Sequence, residues 1–412
     1  MTAEQILSLG PALTHYLHDF RKCFQDTRTI GHLHSYTRGL LSDLPRKSVE
    51  PIALAAGSAV RTLQEFLTHH RWDHPAMRDE LQRRVAREHL PAPGETCVDK
   101  LGVVGWIDET SVAKKGDKTP GVQRQHCGAT GKIDNCVVTV HLACQVGGVG
   151  GLMSLLDSDL FLPEKTWHQD RDRCQKAHIP DEVVYRSKWK IALEQLDRSR
   201  ANGIVLNWLT FDEWYGSKPE FLEELDTRGQ LYIAEVPINF MCFPTLPKYH
   251  SSQNAFAPKR VDNAVSHGKP FHKAQWKTFS LARKTLGPQH WRVKAAQVYL
   301  SRDKRPTART YWLIVANNLD TGETKYFISN APPKTALKLL LKVAFTRAGI
   351  EHVFRLVKTE IGFGHFEGRS YKGLLRHMIL CQLVLLFVAE QTDRLRQEGG
   401  GKDETLELHE TF

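Results

Sequence analysis

The chain has 412 residues, enough for two or three domains, and its apolar and charged fractions are those of an ordinary globular protein. Fifty-six Lys/Arg against 46 Asp/Glu leave a formal charge of +10, which favours anionic partners. Eight cysteines occur with no CxxC pair, which argues against both a disulfide scaffold and a cysteine zinc site.

The N-terminus, MTAEQILSLGPALTHYLHDF, carries acids and histidines where a secretory leader needs a basic start and an apolar core. A cytoplasmic protein is expected. Residues 1–95 read as helices with polar turns, and SVEPIALAAGSAVRTLQEFL (48–67) has the helix, Gly-containing turn and helix of a helix-turn-helix. Any small helical bundle gives the same pattern. PAPGETCVD (91–99) is a Pro/Gly connector and a domain boundary.

Strands follow. LGVVGWIDET (101–110) is an apolar run ending on Asp108; CVVTVHLAC (136–144) and GLMSLLDSDLFLP (151–163) are separated by QVGGVGG, a hairpin-like turn. His168, Cys174 and His178 have a loose metal-site spacing, but such residues are usually incidental. A helical stretch, 187–203, precedes IVLNWLTFDEWYG (204–216), an apolar strand ending on Asp212; QLYIAEVP (230–237) is a fifth strand. Three strands in meander, then helix, strand, connector and strand, describe a mixed α/β sheet.

Residues 241–310 then hold fourteen Lys/Arg against two acids, Asp262 and Asp303, whereas residues 1–99 balance at twelve of each. Aromatics such as Trp276 and Trp291 lie among these cations, a mixture suited to phosphate contact and base stacking. TYWLIVANN and KYFISNA add strands, and the core resumes with a helix near Lys334, so the basic block is an insertion. Met378–Ala389 is too short an apolar run to span a bilayer and reads as a buried helix, so no membrane partner is expected. No Walker A loop or strand-following GxGxxG is present, which gives nucleotide-driven chemistry no support.

FTRAGIEHVFRLVK (345–358) sets one acid among cations. At about 100° per residue on a helix, Arg347, Arg355 and Lys358 lie within roughly 40° of Glu351, while Ile350, Val353, Leu356 and Val357 face the opposite way. Salt bridging on a solvated face explains this blandly. The sharper reading is that the cations hold a polyanion and the acid a metal. Asp108 and Asp212 at strand ends and Glu351 on a packed helix are hard oxygen donors suited to Mg²⁺ or Mn²⁺, and two such ions can catalyse phosphodiester cleavage.

The chain resembles the DDE transposases of bacterial insertion sequences, in the branch with a Y-x2-R-x3-E-x6-K signature. Arg347, Glu351 and Lys358 keep that spacing, with Ala344 in place of Tyr. DEWYG matches D-x-x-Y-G at Asp212, Tyr215 and Gly216, and IDETSVAKKG followed by GVQRQHCGATGKIDNC is similar to a segment found in one group of these enzymes.

The resemblance implies an α/β, RNase H-like mixed sheet flanked by helices, with a discontinuous core (99–239 and 333–395). A basic, β-rich insertion (240–332) splits that core; from pattern and composition, an N-terminal helical DNA-binding domain (1–95) precedes it and a polar, Gly-rich disordered tail (396–412) follows. It further implies Asp108, Asp212 and Glu351 as catalytic metal ligands for two Mg²⁺ or Mn²⁺ ions. Arg347 and Lys358 would contact DNA phosphate; Arg355, outside the signature, would take a phosphate or structural role, and the concentrated charge of the basic block, not the likeness, assigns DNA binding to Lys273, Lys277, Arg283 and Lys284. The expected activity is cutting double-stranded DNA at inverted-repeat ends and joining the 3′-hydroxyls to target DNA, in a homodimer. An RNase H-like nuclease without strand transfer, or a catalytically silent binder, are the alternatives; the intact acid set argues against the latter.

Overall fold

The computed structural model describes residues 2–91, 101–147, 151–247, 257–281, 288–398 and 408–411. Most of the 91–99 connector, the centre of QVGGVGG, Arg283 and Lys284 lie outside the described residues.

Five helices come first: α1 (Ala3–His18), α2 (Thr27–Leu41), α3 (Val49–Ala55), α4 (Val60–Thr68) and α5 (His74–His89). Thr2, Asp26 and Asp73 cap α1, α2 and α5 by accepting backbone N–H bonds that a first turn leaves unpaired. The sheet then begins with β1 (Val104–Ala113), β2 (Gln123–Cys127), β3 (Lys132–Val146) and β4 (Leu152–Leu160). Helices α6 (Arg171–Lys176) and α7 (Lys188–Ala201) lead to β5 (Trp208–Phe211), α8 (Glu213–Gly216), α9 (Pro219–Thr227) and β6 (Tyr232–Val236).

The basic block forms β7 (Met241–Phe243), β8 (Lys259–Arg260), α10 (Val261–His267), α11 (Lys269–Lys273), β9 (Lys277–Leu281), β10 (Gln289–Arg302) and β11 (Arg305–Pro306). Strands β12 (Tyr311–Asn318) and β13 (Thr324–Ser329) return the chain to α12 (Leu337–Thr346), α13 (Ala348–Thr359), α14 (Tyr371–Glu398) and β14 (Leu408–Thr411).

β1 pairs antiparallel with β3 and parallel with β5, β3 pairs antiparallel with β4, and β5 pairs parallel with β6. This three-strand meander extended by two parallel strands is an RNase H-like sheet. From Cys136 to Val146, β3 is buried at every position, so both faces of the sheet are covered, with α7 on β3 and β4 and α13 on β1 and β4. The insertion continues the sheet of the core. β13 pairs antiparallel with β6, and β12, β10 and β9 follow, so one sheet runs through both parts. Asp226 of α9 clamps them together, accepting from Arg302, Arg309, the Tyr311 hydroxyl and Asn330.

Helix α14 is long and apolar enough to cross a bilayer by length and composition, but Arg376 to Phe387 are buried throughout, which makes it a core helix. The N-terminal helices pack on it. Tyr16 Oη donates to the Leu383 carbonyl at 2.8 Å, and Tyr36 Oη bonds His377 Nδ1 at 2.9 Å. Residues 48–67 do form two helices around Gly57 in a left-handed turn (φ +62°), but Leu63, Phe66 and Leu67 of the second are buried in the core. At the other end, where a disordered tail is expected, α14 runs on to Glu398 and Leu408–Thr411 pairs antiparallel with β9.

Candidate active site

Asp108 and Asp212 are brought side by side by register. The last β1–β5 pair is Ile107 with Phe211, so the next residues on the two parallel strands are the two acids. Asp212 follows the last residue of β5, but Asp108, expected at a strand end, lies within β1, paired with His141, at the level where β5 stops alongside it. Asp108 Oδ1 accepts from the Glu109 N–H at 2.7 Å and Oδ2 from Arg347 Nη1 at 3.1 Å. Burial, chiefly, pushes its carboxyl up to about 7; Arg347 opposes the rise and Asp212 adds to it. Asp212 also caps α8, its Oδ1 accepting from the N–H groups of Trp214 and Tyr215 at 3.1 and 3.2 Å. Capping and catalysis are compatible, because the cap fixes the carboxylate's direction.

The helix carrying Glu351 differs from the sequence reading. Residues 345–358 are not one helix: α12 stops at Thr346, Arg347 is the joint, and α13 starts at Ala348. Arg347 nevertheless keeps right-handed helical dihedrals (φ −53°, ψ −32°) and lines the same cleft as Glu351. It turns toward the sheet, pairing with Asp108 and standing 4.0 Å from Glu235 of β6. The buried side of α13 is largely as expected, with Ile350, Val353 and Val357 buried and Leu356 half-buried, joined by Phe354. Gly349 is required at its position, because a Cβ there would overlap the Trp106 ring of β1.

Glu351 is exposed in the first turn of α13 and lines a cleft with Glu235, Lys325 and Arg347. Among the described residues, no three His, Cys, Asp or Glu side chains are grouped tightly enough to hold a metal ion, so the structure joins Asp108 with Asp212 but leaves Glu351 beside them. His168, Cys174 and His178 form no such group either; Cys174 is buried, with its thiol directed to the Trp167 carbonyl.

Lys358 is half-buried, its Nζ 5.8 Å from the Phe354 ring centroid. Burial lowers its pKa, while Cys127 and Asp108 act in the opposite sense, which places the ammonium within electrostatic reach of Asp108. Arg355 is exposed and donates to His352 Nδ1 at 3.0 Å. Lys273 and Lys277 are exposed at the end of α11 and the start of β9. The basic block is not wholly free for a partner, since Arg302 and Arg309 are held by Asp226 and Arg260 by Asp262.

Three residues escaped the sequence reading. His141 lies opposite Asp108 on β3, is fully buried, bonds Thr139 and Ser158, and is pushed down to about 3 by burial; it is a neutral support beneath Phe354. Glu109 pairs with Lys188 at 2.7 Å. Glu235 follows the apolar run LYIA as Asp108 and Asp212 follow theirs, and that shared pattern of an apolar run followed by an acid was the available signal.

The donor set suits a hard divalent cation. Asp108 and Asp212 offer carboxylate oxygens, and the buried Glu109 Oε2 and Tyr215 Oη beside them have no protein partner, so they can accept from or donate to a cation's water shell.

Residues 19–319 match the family described as DDE superfamily endonuclease, a span that includes Asp108 and Asp212 and ends before Glu351. A probable transposase for insertion sequence element IS701 from Microchaete diplosiphon is 25% identical over 360 residues, covering 86% of this chain and 81% of that protein. With the matched family spanning most of the chain, this protein belongs to the DDE superfamily endonucleases.

Proposed function

We propose that this protein is an insertion-sequence transposase that cuts double-stranded DNA at inverted-repeat ends and joins the freed 3′-hydroxyls to target DNA. The observation that carries the reading is the pair of buried-side carboxylates, Asp108 and Asp212, at adjacent positions just past the last β1–β5 pair of a DDE-family chain. The relative named as a transposase supports the choice of reaction.

Asp108 and Asp212, with Glu351 reached by a small approach of α13, would hold two Mg²⁺ or Mn²⁺ ions. Such ions, when bound, would supply Lewis-acid activation of an attacking oxygen and charge stabilisation of the leaving one. The chain's own contributions are distinct. Asp212 is fixed in direction by its capping bonds, and Asp108 is held at the margin of the core where water is scarce. Lys358, beside Asp108, is placed to meet the phosphate. Lys273, Lys277 and the neighbouring Arg283 and Lys284 bind the flanking duplex. A homodimer pairs the two ends.

The test is incubation of purified protein and Mg²⁺ with end DNA and a target plasmid. The reading expects both nicked ends and joined products. Nicks without joining would assign a nuclease, and binding without either product would assign a silent DNA-binding protein.

A further inference from the structure

The row of acids beside the last β1–β5 pair has a third member. Beyond the paired Ile107, Phe211 and Ala234, three neighbouring parallel strands continue with Asp108, Asp212 and Glu235. Gly216 seats the turn after Asp212 directly on the Glu235 carbonyl, where a Cβ would clash, so β6 is held close to this row.

One guanidinium bridges the ends of the row. Arg347 gives Nη1 to Asp108 at 3.1 Å and stands with Nε 4.0 Å from Glu235. Glu235 is held in turn by Lys325 of β13 at 2.8 Å, and Lys325 lies 3.4 Å from Glu323. Glu235, Asp108, Arg347 and Lys325 have side-chain exposures of 16, 17, 21 and 26%, so water screens this chain of charges weakly. A guanidinium and a divalent cation repel each other when both sit against one carboxylate. Arg347 must therefore yield Asp108 to a metal, and Glu235 is the second acid already within its reach.

We propose that Glu235 is a positioning residue of the catalytic centre, which receives Arg347 from Asp108 when a divalent cation binds, with Lys325 of the insertion setting how strongly it does so. The inference rests on the metal-dependent reading above. It makes the insertion, through β13, a partner in loading the site rather than solely a DNA-binding surface. Because α13 starts at the residue after Arg347, the same transfer shifts the first turn that carries Glu351.

The test is Mn²⁺ titration of the full-length protein without DNA, followed by the loss of free-ion paramagnetic resonance signal and by calorimetry. Wild type is compared with Glu235→Gln, Lys325→Ala, Arg347→Gln and the doubles that combine Arg347→Gln with each of the first two. Glu235→Gln should weaken Mn²⁺ binding roughly tenfold, as loss of a supporting partner does. Lys325→Ala should strengthen it, by about threefold, because Glu235 is then freer to take Arg347. In the Arg347→Gln background both effects should shrink to less than about twofold, the signature of coupling through Arg347.

An unchanged affinity in Glu235→Gln, or an equal loss with Arg347 absent, overturns the inference, since the latter is a direct charge effect. If Glu235→Gln fails to fold, the Lys325→Ala pair of measurements decides by the same criterion. Wild-type protein that binds no Mn²⁺ overturns the metal reading itself and the inference with it, whereas wild-type binding abolished by Asp108→Asn keeps that reading intact whatever Glu235 does.

Discussion

Arg376 and Asp108 are both charges withdrawn from water, and the structure treats them oppositely. Arg376, on α14, is fully buried, yet its guanidinium donates to the carbonyls of Phe66, Leu67, His70 and Trp72 and lies 4.3 Å over the Trp72 ring. Those acceptors are fixed backbone at the end of α4 and beyond it, so the cation is settled and locks the N-terminal helices to α14. Asp108 has one backbone donor, one guanidinium it shares with Glu235, and a like charge next to it. Buried charge with permanent partners builds structure; buried charge with displaceable partners leaves room for chemistry.

That contrast can be broken at either end. The largest expected effect is on activity: Asp108→Asn and Asp212→Asn should each lower cleavage by about a thousandfold or more, the scale on which a lost charge-stabilising group acts. Their melting temperatures should stay close to wild type. A variant that cleaves at near wild-type rate removes its residue from the metal set. At the other end, Arg376→Ala should leave DNA chemistry intact but cost about 3–5 kcal/mol, because the carbonyls of Leu67, His70 and Trp72 lose this donor and Phe66 keeps only the Trp72 indole. Urea unfolding measures this, and a change within about 0.5 kcal/mol would deny Arg376 its structural role.

His377 sharpens the same interface through pH. Its Nε2 is 3.3 Å from the carbonyls of Gly362 and Phe363, so it carries the proton there and Nδ1 accepts from Tyr36. Burial pushes its pKa down to about 4. A histidine depressed on folding is protonated more readily in the unfolded chain, so its contribution is whole above the ordinary value near 6.5. It is lost as pH falls from there toward 4, at up to about 1.4 kcal/mol per unit. Stability by urea midpoint should fall over this window, and less steeply in His377→Gln; equal slopes would contradict the assignment.

A smaller effect separates Lys358 from the helix that carries it. Lys358→Ala should slow cleavage about tenfold to a hundredfold while changing stability by less than about 1 kcal/mol. Val353→Asp, which puts a charge into the buried face of α13, should instead abolish the fold. Normal cutting and joining by Lys358→Ala would return the lysine to a bland place on a helix surface.

The legible parts of this molecule were those written in local pattern. An apolar run followed by an acid marked Asp108 and Asp212, although only Asp212 follows the end of its strand, since β1 continues past Asp108 to Ala113. The buried face of α13 was readable from its period at Ile350, Val353 and Val357. The break at Arg347 was not readable: FTRAGIE contains no proline, and the apolar period continues across the joint. Sequence also carries no lateral register, so the alignment of Glu235 with the two aspartates, and the extension of the core sheet by β13, appeared only once the strands were paired. The basic block was visible as charge, but its internal anchoring through Asp226 depends on an acid on a distant helix.

Glu351 offers the most direct test, because it is the member of the acid set that stands exposed beside the other two. Cleavage and joining of end DNA should be measured for wild type, Glu351→Gln and Glu351→Cys, each with Mg²⁺ and with Mn²⁺. If Glu351 closes onto the ions held by Asp108 and Asp212, Glu351→Gln is inactive with both, and Glu351→Cys is inactive with Mg²⁺ but regains cutting with Mn²⁺, which accepts a thiolate more readily. Cleavage by Glu351→Gln near the wild-type rate with Mg²⁺ would contradict the account.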